Sequence, residues 1–416
     1  MFKKGKSIVF LGSLIIVLYG LSAIFYGKVV ARDDAYKELS VFMDVLKKIN
    51  DDYVEAPNMN KVQEGAMRGL IDALDPYCSF LTKEQYDALQ KRNANGNVNL
   101  GIVLSKRSDV IYVVSCEHDG PAAEAGIRPG DYLLAVGGQS VEDKSIPEVD
   151  SLLRGTPGSQ VKVTIFRSTR TKPIDIEMTF KSRSATPVSS KMLDGNVGFL
   201  DIASLAGPSL EQVKIRLKTL ISAGAEQILL DLRDCADGEP SSGAELANYF
   251  LRDGILYFSQ NRQGEKVQVV EAKAGNFVTG LPVVVLINGS TAGAAELVAG
   301  AMKDRGRATI VGEKSFGVGS AQRTIPLKSG AVLILSTAKY CTPGGKVIQD
   351  EVVRKAGISP DIQAPDDDKR QDLAVESYYD DQDDAGKFHL LQEKIDKIQI
   401  DKALEILAGE RAKKAA

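Results

Sequence analysis

The texture of the chain changes near Val98 and again near Lys181, and that double change constrains the fold more than any single motif. Between these points run short β-like segments, Val110 to Ser115, Tyr132 to Val136 and Val161 to Phe166, separated by turn residues. Before them, from Asp34 to about Gln90, apolar residues recur at helical spacing. One series is Leu39, Phe42, Met43, Leu46 and Ile49; another runs through Val62, Ala66, Leu70, Ile71 and Leu74 and stops at Asp75-Pro76. After them, from Ser189 to about Asp361, strand-like runs alternate with helical ones, the pattern of an α/β core. A chain of 416 residues built this way needs more than one hydrophobic core. The expected organisation is a basic flank and apolar run over 1–33, a helical cap or dimerisation segment over 34–92 and a mostly-β module over 96–182. An α/β core over 183–364, an acidic solvated linker over 365–389 and a C-terminal helix over 390–416 complete it.

The N-terminus decides where such a protein works. Lys3, Lys4 and Lys6 precede an uncharged, mostly apolar run from Ile8 to Tyr26, whose 19 residues approach the length of a membrane-crossing helix. The basic flank predicts that everything after Lys28 lies across the membrane from the cytoplasm, in the periplasm or extracytoplasmic space of a bacterial envelope. Val29-Val30-Ala31 offers a signal-peptide cleavage site, whereas the length of the apolar run favours an uncleaved anchor.

Composition removes several function classes. A net charge of −3 gives no concentrated positive surface for a nucleic acid. Two histidines, His118 and His389, exclude a His-rich metal site, and no cofactor is implied. Cys78, Cys116, Cys235 and Cys341 lie far apart without CxxC spacing and read as small buried thiols.

Within the mostly-β stretch stands Gly120-Pro-Ala-Ala-Glu-Ala-Gly126-Ile-Arg-Pro-Gly130-Asp131-Tyr-Leu-Leu, followed later by Leu152-Leu-Arg-Gly155. This run resembles a PDZ domain. The resemblance implies that Leu100, Gly101, Ile102 and Val103 form the loop whose backbone N–H groups capture a terminal carboxylate. The adjoining strand would then take up a peptide or protein C-terminus by β-augmentation.

The α/β stretch carries four ordered signatures: Asn288-Gly-Ser-Thr-Ala-Gly-Ala-Ala-Glu296, Val311-Gly-Glu-Lys-Ser-Phe-Gly-Val-Gly-Ser-Ala-Gln322, Thr337-Ala-Lys-Tyr-Cys-Thr-Pro-Gly-Gly345 and Gly357-Ile-Ser-Pro-Asp361. Together with Leu74-Asp-Pro-Tyr-Cys-Ser-Phe-Leu81 they resemble the C-terminal processing peptidases of serine peptidase family S41. The resemblance spans about residues 35 to 410. It implies an α/β peptidase core with an inserted mostly-β PDZ domain and an N-terminal helical segment, to which the apolar run from Ile8 to Tyr26 adds the expected N-terminal transmembrane helix.

These peptidases use a serine nucleophile and a lysine base, and a lysine serves as base only when burial lowers its pKa. The resemblance places the nucleophile three residues before Glu296, on Gly293, and the base on Val318. The retained third position is Gln322. Gly293 and Val318 are 25 residues apart and Gln322 lies four further on, which is the family spacing. Neither Gly293 nor Val318 has a group able to attack or accept a proton. The segment that helps hold the oxyanion reads Asp234-Cys235-Ala236-Asp237-Gly238, and an Asp237 carboxylate there is expected to oppose developing negative charge. Gln322, without a partner lysine, is expected to be a core amide.

Two readings follow. The first is a pseudopeptidase that binds C-termini and regulates an active paralogue, as a homodimer or as part of a hetero-oligomer with it. The second is an active serine endopeptidase whose nucleophile has moved to Ser290 or Thr291, with Lys303 and Lys314 nearby.

Overall fold

The computed structural model describes residues 39–94, 97–107, 110–117, 120–181, 188–350, 355–366 and 385–415. The apolar run from Ile8 to Tyr26, His118 and most of the acidic stretch lie outside these residues. Among the described residues no helix is long and apolar enough to cross a membrane. The chain divides into two units, residues 1–69 and 70–416. In the first, a helix over 39–52 precedes the helix Met59–Asp72, which runs on into the second unit.

The expectation that residues 34 to 90 are helical throughout is corrected by one element. Ser79–Leu81 is a strand, paired antiparallel with Val332–Cys341. Cys78-Ser-Phe-Leu81 is too short to show a period, and its partner lies some 250 residues away, so tertiary pairing alone makes it a strand. A helix from Lys83 to Ala94 follows.

The mostly-β module is an antiparallel sheet of the strands Ile102–Arg107, Val110–Cys116, Tyr132–Val136, Gln160–Phe166 and Ile174–Thr179, in that order, with Gln139–Ser140 paired to Tyr132–Val136. Its core gathers Leu100, Ile102, Leu104, Val113, Leu133, Val163 and Ile165 under the short helix Ile146–Leu152. Pro147 sits in the first turn of that helix, and Ser145 caps its start through Glu148.

The α/β core is built on a six-stranded sheet in the order Val188–Leu193, Val197–Ile202, Gln227–Asp231, Val283–Ile287, Thr309–Gly312, Ile362–Gln363. The first pair is antiparallel and the rest are parallel. Val283-Val-Val-Leu-Ile287 has no polar alternation because both of its faces are covered. Val283, Val285 and Ile287 face the helices Ser209–Ser222, Pro240–Phe250 and Ala294–Asp304, whereas Val284 and Leu286 face the C-terminal helix through Ala403 and Leu407. That last helix spans Ala385–Ala415, starting earlier than expected. A second, antiparallel sheet orders Ser79–Leu81, Val332–Cys341, Ile255–Gln260 and Lys266–Glu271, with Ser320–Pro326 also paired to Val332–Cys341.

One buried charge network joins the C-terminal helix to the sheet. At the end of Gln227–Asp231, Arg233 grips the Asp231 carboxylate with Nε and Nη2, while Nη1 donates to Asp396 Oδ1 at 2.7 Å and Gln399 Oε1 at 2.9 Å. The Gln399 amide then donates to the Ala364 carbonyl. Arg233 and Asp231 are 8% and 5% exposed, so removing the guanidinium strands a buried carboxylate. Arg233→Ala is expected to cost about 3–5 kcal/mol in urea denaturation, and Asp396→Ala distinctly less because Asp396 is only partly buried.

Candidate functional site

The site forms at the carboxyl end of the central strand Val283–Ile287, where the chain turns into the helix Ala294–Asp304. Asn288 organises the turn. Its Oδ1 accepts from Ser290 N and Asp234 N, its Nδ2 donates to Asp234 Oδ1, and its own N–H donates to Thr291 Oγ1. The turn ends on Gly293, at φ 59° and ψ −116°, immediately before the helix. This is backbone that a side chain occupies only under strain. Space is not the obstacle, since the nearest atom to a Cβ at this point is the Ala236 carbonyl oxygen, 3.9 Å away.

Glu296, one turn into the helix and fully buried, ties this turn to the Phe316-Gly-Val-Gly319 loop. Its Oε2 accepts from Gly293 N at 2.9 Å and Val318 N at 2.8 Å, and its Oε1 from Gly317 N at 2.8 Å and Ser315 Oγ. Ser315 Oγ in turn accepts from Ile358 N. The loop can lie this close only because of its glycines. Gly317 has φ +104°, and a Cβ there would fall 2.7 Å from Ala356 Cβ; one on Gly357 would fall 2.2 Å from the Ser315 carbonyl oxygen. Burial pushes the Glu296 carboxyl up to about 7, while the four donors pull in the opposite direction.

The two positions expected to be vacant are thus brought to one place, each with its backbone N–H on the same carboxylate oxygen. Gly293 presents no side chain, and Val318 presents a half-buried isopropyl group. Asp237 belongs to the same region, because the Cys235 carbonyl accepts from Ala292 N. Its carboxylate is held elsewhere, however, accepting from Ser204 Oγ at 2.6 Å and Leu205 N at 3.0 Å. Gln322 corrects an expectation. Its amide is exposed rather than in the core, and it donates to the Tyr77 carbonyl at 2.8 Å because its strand lies beside the Asp75-Pro-Tyr-Cys78 turn.

Ser290 is 6% exposed and donates its hydroxyl proton to the Val114 carbonyl at 2.8 Å. Thr291 is fully buried and donates to the Leu232 carbonyl at 2.8 Å. Lys303, at the far end of the helix, is paired with Asp361 and bonded to the Ser359 carbonyl. The four cysteines are all buried and unpaired, and burial raises their thiol pKa values. Among the described residues no cluster of His, Cys, Asp and Glu is suited to hold a metal ion.

In the mostly-β module, Leu100 and Ile102 turn their side chains into its core, and the buried Gly101, at φ +75°, stands at the start of the strand Ile102–Arg107 with its carbonyl accepting from Glu117 N at 2.8 Å. The Gly101 N–H rests on Asn99 Oδ1 at 3.2 Å, and Val103, half-buried, pairs with Ser115. The Ile102–Arg107 strand is at the edge of its sheet, with Val110–Cys116 as its only strand partner among the described residues. Sequence reasoning missed the lock on the Gly126-to-Asp131 turn. Asp131, 1% exposed, accepts from Arg167 Nε and Nη2, both at 2.7 Å, and Arg167 lies too far along the chain to signal the pair. It also missed how this module meets the core. Besides the Ser290–Val114 bond, Ser115 Oγ donates to the Asp234 carbonyl at 2.6 Å, and the Tyr112 ring lies 6.2 Å from that of Phe316.

An amide in place of Glu296 has one acceptor oxygen for donors that now share two. Glu296→Gln is therefore expected to lower stability by about 3 kcal/mol in chemical denaturation at pH 8. The sign of the pH dependence follows from the raised pKa. Between 4.5 and about 7 the folded protein holds a proton that the unfolded chain has lost, so wild-type stability falls as pH rises through that window and levels off above it. The Glu296→Gln variant should lack this contribution, and parallel denaturation curves from pH 5 to 8 measure the difference.

Comparison with known proteins agrees with this geometry. The model of peptidase family S41 matches residues 196–364, and a PDZ-domain model matches residues 112–167. A carboxy-terminal-processing protease of Bartonella bacilliformis is 32% identical over 335 residues, covering 80% of this chain and 76% of that one. A carboxyl-terminal-processing protease of Synechocystis sp. is 31% identical over 321 residues, covering 75% and 74%. Among solved structures, a photosystem II D1 C-terminal processing protease superposes with a TM-score of 0.64 at 26% identity, covering 77% of this chain and 92% of that one. With its motifs in order, its PDZ module inserted ahead of the core and relatives matched over most of their length, the chain belongs to the carboxy-terminal processing protease family, peptidase family S41.

Proposed function

We propose that this chain is a non-hydrolysing member of its family that binds the C-termini of peptides or proteins through its PDZ module. The observation that carries the reading is a peptidase-like turn and loop held in register around positions 293 and 318, where glycine and valine supply neither a hydroxyl nor an amine. Acyl transfer by this family needs an oxygen to attack the carbonyl and a neutral amine to take its proton. Gly293 and Val318 can do neither. The relocated-nucleophile reading is weakened by the hydroxyls it depends on. Those of Ser290 and Thr291 are buried and already donate to main-chain carbonyls, which leaves neither oriented toward a base or a substrate.

Support for terminus binding comes from the edge strand Ile102–Arg107, the arrangement β-augmentation uses. We further propose that the run from Ile8 to Tyr26 tethers the protein to a bacterial inner membrane, with its body on the extracytoplasmic side. There it would present captured termini to an active paralogue, as a homodimer or within a hetero-oligomer.

The test uses the full chain in detergent with an unfolded protein substrate and a serine-directed fluorophosphonate. Wild type is expected to bind peptides with a free C-terminus and to show neither turnover nor labelling, a loss on the order of a millionfold relative to an active enzyme. Gly293→Ser with Val318→Lys should gain detectable labelling, and Gly293→Ser alone should not. Wild-type hydrolysis that Ser290→Ala abolishes would overturn the proposal.

A further inference from the structure

We infer that the PDZ module carries a second peptide subsite, an aromatic cavity on the sheet face away from its hydrophobic core that takes one bulky apolar side chain beside a carboxylate. The strand register builds it. Arg107 pairs with Val110 and Ser105 with Tyr112, so these residues share one face, while Leu104 and Val113 point into the core. Across the same face Tyr112 meets Tyr132, and Tyr132 meets Phe166, with ring centroids 6.4 and 6.5 Å apart. These rings, with Val110 and Leu134, line a cavity of about 770 Å³. That volume is within the range of small-ligand pockets and has ample room for a bulky side chain with its neighbours.

Three observations identify the occupant. Val110, Tyr132 and Leu134 are 41%, 38% and 37% exposed, so the apolar face is open to a ligand. Among the described residues that line the cavity Arg107 is the one charged side chain, and its guanidinium favours an anionic group next to the apolar one. The face is also continuous with the cleft. Tyr112 touches Phe316, whose loop leads to Val318, and Ser105 meets the Tyr77 hydroxyl, so the cavity begins where the sheet emerges from beneath the core.

The spacing rests on the proposed terminus binding. A peptide whose carboxylate sits at Gly101 must run antiparallel to the six-residue strand Ile102–Arg107. The side chain that reaches Arg107 and the cavity is then about five to seven residues upstream of the terminus.

The experiment is fluorescence anisotropy of the full chain with peptides of about twelve residues, carrying Phe-Glu or Ser-Gln at that upstream position, each with a free or an amidated C-terminus. Wild type is expected to bind the free-terminus Phe-Glu peptide about tenfold more tightly than its Ser-Gln counterpart. Tyr132→Ser and Leu134→Ser, both at half-exposed positions, should erase that advantage, and Arg107→Glu should reverse the Glu contribution. An advantage that is missing in wild type, or that survives Tyr132→Ser, overturns the subsite and leaves the terminus reading standing. Free and amidated peptides that bind alike overturn the terminus reading, and the Tyr132→Ser comparison then judges the subsite alone. A dimer in sedimentation that Tyr132→Ser dissociates would assign this face to a second copy and overturn the proposal.

Discussion

The geometry of the site depends on one buried carboxylate. Glu296 lies in a helix within the core, and its partners are three main-chain N–H groups and one hydroxyl, drawn from the turn before the helix and from a loop some twenty residues later. Burying a carboxyl is costly unless donors converge on it, and once they have converged they cannot easily part. Gly293 and Val318 are therefore fixed relative to each other by their backbones. That arrangement engages neither side chain and is indifferent to which residues these positions carry.

A second set of contacts sets the PDZ module on this frame. The strand Val110–Cys116 accepts a hydrogen bond from Ser290 through Val114 and donates one to Asp234 through Ser115, and both partners belong to the network around Asn288. Ser290, which read as a candidate nucleophile, is thus a clamp between module and core. The same strand turns Tyr112 toward Phe316 and the aromatic face of the sheet. The PDZ module and the cleft therefore share one structural element.

What could be read from sequence was what local chemistry dictates. The β-rich module and the strand Val283–Ile287 follow from short-range pattern, because glycine turns and doubly buried strands leave marks within a few residues, whereas the roles of positions 293, 318 and 322 come only from the family resemblance. Contacts between distant segments left none. Gln322 reaches Tyr77 across 245 residues, and Ser79–Leu81 becomes a strand only because Val332–Cys341 is there to pair with it. Asp237 illustrates the limit well. Its charge was visible in the sequence, but the Ser204 hydroxyl and Leu205 N–H that hold its carboxylate were not, since nothing near Asp237 announces them.

Glycine at 293 and valine at 318 also make physical sense as a pair. A serine at 293 would have to accept φ 59° and ψ −116°, a conformation that costs a non-glycine residue about 1–3 kcal/mol. A lysine at 318 would have to keep a desolvated amine on a half-buried stem, where valine places only hydrocarbon. Each catalytic group is therefore a strain or a desolvation penalty that chemistry alone justifies. Glycine and valine avoid both penalties without disturbing the Glu296 network, because that network engages only their main-chain N–H groups. The outcome is a turn and loop whose mutual position is set by Glu296 and the main chain, independently of the side chains at 293 and 318.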